Sequence, residues 1–150
     1  MDPKKILLAI DDSDSALRAV DYVARLIGDS PGFQVTIIHV IEDPSEDYFE
    51  TEEQRRHYLA GQEEETRALL GKTRATLEAA GLAPERIAYK APVKTCDSMA
   101  ACILSEQEDE GFGTLVVGRR GLSKAEEFLF GSISNRIIHY ARNCTVWVVV

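Results

Sequence analysis

Short apolar runs alternate along the chain with longer segments in which apolar residues return every three or four positions. Lys4–Ile10 (KKILLAI) is the first run, and unbroken hydrophobicity of this kind predicts a strand buried on both faces, the habit of parallel sheets. Asp11-Asp12-Ser13-Asp14-Ser15 then offers helix-capping side chains. Ala16, Leu17, Val20, Val23, Ala24 and Ile27 follow on one helical face, and Gly28-Asp29-Ser30-Pro31-Gly32 stops that helix. Phe33–Ile41 predicts a second strand. Glu42 to Gln54, acidic and holding Pro44, reads as a loop or a frayed helix start; a helix then runs to Ala80, with Gly81 as its cap. Gly61 and Gly71 each weaken that helix by about 1 kcal/mol relative to alanine, which leaves room for a break near Gly61. Arg86–Ala91 predicts a third strand at a sheet edge, and Asp97 or Ser98 caps a helix reaching Glu108. The run Leu115–Val117 lies in a fourth strand, Ile133, Ile137, Ile138 and Ala141 mark a last helix, and Cys144–Val150 is a fifth strand.

The order is β-α-β-α-β-α-β-α-β, with no repeat, linker or low-complexity segment. Such alternation predicts one α/β domain over residues 1–150, an open five-stranded parallel sheet with helices on both faces. In sheets of this kind ligands sit at the carboxyl ends of the strands, where the winding reverses.

Composition narrows the class. With 150 residues, 45% hydrophobic and 28% charged, the chain is long enough to bury a core unaided. It has no apolar run of the roughly 18 residues that a membrane span needs. Its start shows no signal peptide. The three cysteines, Cys96, Cys102 and Cys144, form no C-x-x-C pair, which predicts reduced thiols, a cytoplasmic location and no zinc site. The net charge of −8 is all contributed by residues 42–65, where ten acids face Arg55 and Arg56. Residues 119–142, by contrast, hold five bases against Glu126 and Glu127. A basic island in an acidic chain suits a small phosphorylated ligand and argues against nucleic acid, which needs broad positive surface.

That island coincides with a glycine pattern. After the apolar run Leu115–Val117 come Gly118, Arg119, Arg120 and Gly121, and nine residues later Gly131-Ser132 opens the last helix. Gly118, Gly121 and Gly131 are read as turn-forming residues with φ > 0 that let backbone N–H groups approach a ligand. Ser132 and Ser134 add hydroxyls where unpaired amides and the helix dipole favour phosphate. The spacing G-x2-G-x9-G-S is neither a Walker A loop nor a dinucleotide turn.

The glycine pattern and its position between the last two strands resemble the nucleotide-binding members of the universal stress protein family. Ala9-Ile10-Asp11-Asp12-Ser13 is similar to that family's first strand ending, and His39-Val40 to the point where its backbone meets adenine. The resemblance implies strand order 3-2-1-4-5 in a fold like that of the adenine-nucleotide alpha hydrolases. It implies ATP as ligand, held by Asp11, Val40, Gly118, Arg119, Gly121, Gly131, Ser132, Ile133 and Ser134. It leaves room for Mg²⁺ or Mn²⁺ bridging the phosphates, and it implies a homodimer formed through Val146–Val150. Two departures stand out: Asp12 where the family often has glycine, and Ala91-Pro92-Val93 where it usually has a glycine-proline element.

The function expected is a nucleotide-controlled stress-response switch. With no phosphate-loop lysine and no evident water-activating base, at most slow ATP hydrolysis is expected. The alternative is a dimeric interaction module whose crevice takes no nucleotide. A nucleotide transferase of the related superfamily needs a serine-glycine-glycine loop after the first strand, which Asp11-Asp12-Ser13 does not provide. A phospho-acceptor receiver lacks its aspartate after the third strand. His39, within an apolar run, reads as a hydrogen-bonded core histidine, and Asp11 has an ordinary role open to it as a helix cap or turn residue.

Overall fold

The computed structural model describes residues 1–44, 46–94, 97–119 and 132–150. Its strands are β1 (Asp2–Ala9), β2 (Gln34–Ile38), β3 (Ile41–Glu42), β4 (Ile87–Lys90), β5 (Val93–Lys94), β6 (Phe112–Gly118) and β7 (Thr145–Val149). Its α-helices are α1 (Asp14–Ile27), α2 (Glu52–Ala79), α3 (Met99–Asp109) and α4 (Ser132–Tyr140). The main sheet runs β4-β2-β1-β6-β7 with every pairing parallel. Counted along its own strands that is 3-2-1-4-5, the expected order.

β1 explains the two-sided core. Successive side chains of a strand point to opposite faces. Ile6 and Leu8 pack with Val20, Val23 and Ile27 of α1 and with Leu70 and Leu77 of α2. Leu7 and Ala9 pack instead with Ala100 and Ile103 of α3 and Ile137 of α4. Ile6, Leu7 and Leu8 are completely shielded from solvent, which is why the run shows no polar alternation.

Three expectations change. The second strand does not run unbroken from Phe33 to Ile41. Its ladder ends at Ile38, and the chain pairs again only as β3, whose Ile41 and Glu42 lie beside Val93 and Lys94 of β5 in a separate two-stranded sheet. The helix after the acidic stretch does not break at Gly61: α2 is continuous from its Thr51 cap, whose hydroxyl accepts from the Gln54 N–H at 3.2 Å. The small glycine cost is outweighed by the buried row Thr66, Leu70, Thr73 and Leu77. The cysteines are not all reduced thiols. Cys102 is disulfide-bonded, whereas Cys144 is free and partly buried, and burial raises its thiol pKa.

Among the described residues no helix is long and apolar enough to cross a membrane. At the sheet's outer edge, β7 leaves Val146, Trp147, Val148 and Val149 half-buried. The Trp147 ring meets Tyr22 of α1 edge-on, centroids 6.0 Å apart.

Candidate functional site

β1 lies between β2 and β6, so the winding reverses there, and a cavity of about 260 Å³ opens at the carboxyl ends of these three strands. Its walls are apolar: Ile10, Ile38, Val40, Val117, and Ile103 of α3 and Ile133 of α4. Its rim is polar, formed by Asp11, Asp12, Ser13 and His39.

Asp11, Ser13 and His39 of the rim are each held by a local bond. The Asp11 carboxylate accepts the Ser13 N–H at 2.9 Å, closing the turn that ends β1. Ser13, not either aspartate, caps α1, accepting the Ala16 N–H at 3.2 Å. The His39 ring nitrogen Nδ1 donates to the Ile10 carbonyl at 2.8 Å. A carbonyl only accepts, so this bond fixes the proton on Nδ1 and leaves Nε2 of the neutral ring as an acceptor.

The gap between the two sheets creates a backbone feature at the same place. His39 N–H still donates to Lys90 and Ile41 N–H donates to Pro92, at 3.1 and 2.9 Å. Between them, and among the described residues, no hydrogen bond uses the N–H or carbonyl of Val40. A residue whose backbone N–H and carbonyl are both unspent, next to an apolar slot, can pair with the edge of a planar heterocycle. The first residue of α3 (Met99), the first turn of α1 and Ile133 at the start of α4 also reach the cavity. Helix N-termini therefore point there, and their amides and dipoles favour an anion.

Asp11, Val40, Gly118 and Ile133 thus line one cavity. Gly118 stands there for a reason different from the one expected. It does not adopt positive φ; a Cβ would run into the Ser15 carbonyl of α1, so its lack of a side chain lets β6 close against that helix. Arg119 follows Gly118 and donates its N–H to Val149 at 2.7 Å. Ser134 is buried in α4 and is not among the lining residues. Gly121 and Gly131, with the Ser132 side chain, lie outside the described residues. The sequence did not single out Met99 and Ile103; only their helical spacing with Ala100 hinted that α3 covers the slot. Among the described residues no cluster of three or more His, Cys, Asp or Glu side chains could hold a metal.

Comparison with known proteins gives a match to the universal stress protein family over residues 3–150. No curated protein matches significantly. Among solved structures, the hypothetical protein MJ0577 is 25% identical with a TM-score of 0.76, the alignment covering 98% of this chain and 95% of that one. A universal stress protein in complex with cAMP is 21% identical, TM-score 0.69, with 97% and 94% covered. One from Archaeoglobus fulgidus in complex with dAMP is 18% identical, TM-score 0.67, with 97% of each chain covered.

Proposed function

The chain belongs to the universal stress protein family, and from that premise we propose that it binds ATP and serves as a nucleotide-controlled switch in the stress response. The observation that carries this reading is the cavity at the winding reversal, where Asp11, Val40 and Gly118 converge from three strands. Adenine is flat and apolar on its faces and carries donor and acceptor groups along one edge. An aliphatic slot beside the unspent Val40 peptide suits it. Asp11 is placed to accept from a ribose hydroxyl. The sequence G-x2-G-x9-G-S then supplies amides and hydroxyls for the phosphates, with Arg119, Gly121, Gly131, Ser132 and Ser134 as the assigned contacts. Mg²⁺ or Mn²⁺ would be held chiefly by the phosphates themselves, which demands few protein ligands. The two nucleotide-bound relatives, with cAMP and dAMP, support the adenine half of this assignment more directly than the triphosphate.

The switch is read as cytoplasmic and dimeric, joined through Val146–Val150. A half-buried edge strand made of three valines and a tryptophan favours pairing with a second copy. Calorimetric titration of ATP with magnesium into wild type, Gly131→Val and Ile103→Trp tests the nucleotide site. Valine should obstruct the phosphates and tryptophan should fill the base slot, so each variant is expected to lose at least about tenfold in affinity. Equal affinities in all three proteins would remove the assignment.

A further inference from the structure

A second and larger cavity, about 400 Å³, lies on the other side of the β2–β3 step, between α2 and the edge strand β4. We propose that it is a binding site for a small amphipathic organic anion, with its apolar body over Ile41 and Leu70 and its carboxylate or phosphate on Arg67 and Arg74. The volume falls in the range of about 300–1,000 Å³ typical of small-molecule pockets.

Four observations define the ligand. The floor is apolar: Ile41 and Leu70 line it and are only 2% and 5% exposed. Arg67 and Arg74 both line the space; seven residues apart, they sit on one face of α2 about 10 Å from each other. Arg74 is engaged, donating to Glu78 at 2.7 Å and to the Pro84 carbonyl at 3.4 Å. Arg67 has no ion-pair partner among the described residues. Tyr89 of β4 forms the opposite wall and is 61% exposed, a large aromatic face with no ring partner among the described residues.

The fourth observation is Gly71. It stands in the middle of α2, where glycine weakens a helix, and a Cβ there would meet nothing within 4 Å. No neighbour in the fold requires its smallness, unlike that of Gly118. It lines this cavity, and the missing side chain leaves the space open. Glu63 also lines the cavity, four residues (about 6 Å along the helix) before Arg67 and eleven (about 16 Å) before Arg74. The anionic head therefore belongs between the arginines on the Arg74 side, with the apolar tail over Ile41 and Leu70. Nothing in this assignment depends on what occupies the first cavity.

Two probes separate the kinds of apolar body: octanoate for an acyl chain and 1-naphthoate for an aromatic one. Each is titrated calorimetrically into the full chain, into Gly71→Leu and into Arg67→Gln, with thermal melts to show that the variants are folded. At least one probe should bind wild type at one per chain. Gly71→Leu should abolish that binding, and Arg67→Gln should weaken it roughly tenfold, as for loss of one hydrogen bond to a charged group. Naphthoate alone would assign a ligand stacked on Tyr89, and octanoate alone an acyl ligand; either supports the site. Failure of both probes to bind at millimolar concentration would overturn it, as would binding unchanged in both variants.

Discussion

Two glycines show how the same residue type answers to opposite demands. Gly118 is required by the fold, because its neighbour across the β6–α1 contact is backbone that cannot swing aside. Gly118→Ala should therefore destabilise the protein by about 3 kcal/mol, at the upper end of overpacking costs. Gly71→Ala should stabilise it by about 1 kcal/mol through helix propensity alone. Urea unfolding of the two variants beside wild type should give midpoints on opposite sides of it. Lys90 makes a different kind of test. Its ammonium reaches Glu106 at 3.0 Å and Glu110 at 3.3 Å, joining β4 to α3. The hydrogen bond to Glu106 is the main reason its pKa is raised above the ordinary lysine value, against an opposing effect of burial. A raised folded pKa means that this contribution is complete below about pH 10.4, the unfolded value, and is lost as pH climbs through the folded one. The side chain is one-third exposed, so the contribution is below about 1 kcal/mol. The gap in urea midpoint between wild type and Lys90→Met should be constant from neutral pH to about pH 9 and narrow as pH rises through the raised folded pKa.

Among the elements, those with long periodicity were legible and those made by pairing were not. β1 was readable because five consecutive positions, Ile6–Ile10, carry one message, burial on both faces. α1 was readable from its polar start, apolar face and Gly28 stop. β3 and β5 hold only two residues each, too few for any pattern, and they exist because the Ile41 N–H finds the Pro92 carbonyl. The Ala91-Pro92-Val93 stretch is where this small sheet is built. The candidate site divides along the same line. Asp11 follows a strand whose end the sequence marks, whereas the end of β2 at Ile38, which leaves Val40 outside the ladder, carries no such mark. The role of Gly118 depends on Ser15, a neighbour far away in sequence that no local pattern names. The second cavity was hidden for a related reason: in the sequence Thr66 and Leu70 of α2 look like core positions alone, and only the fold shows that one flank of that row faces an opening. At this scale β7 carries its own prediction. Val148→Lys places a charge on the outer edge, a common device against strand pairing. Light scattering at micromolar concentration should give a dimer for wild type and half that mass for the variant; a wild-type monomer would count against pairing through this strand.

In the whole molecule, the strand order decides which parts can affect one another. All strands run the same way, so the binding chemistry gathers at one end of the sheet while the other end carries turns such as Gly111 and Gly32. The two cavities meet the sheet at adjacent residues, Val40 in the first and Ile41 in the second. Of the acidic surplus of residues 42–65, Glu63 lines the second cavity, and Glu52, Glu53, Glu64 and Glu65 stand exposed on the first half of α2. Arg55 is tied into that surface by Asp43 and Glu52.

The bond from Arg119 to Val149 has a practical corollary for anyone handling the protein. The carbonyl that accepts from Arg119 belongs to Val149, the last residue of β7 and the register partner of Gly118, so a fusion partner attached after Val150 would start beside the lip of the first cavity. One attached before Met1 would enter at the opposite end of the sheet, where β1 begins. Purification handles belong on that side.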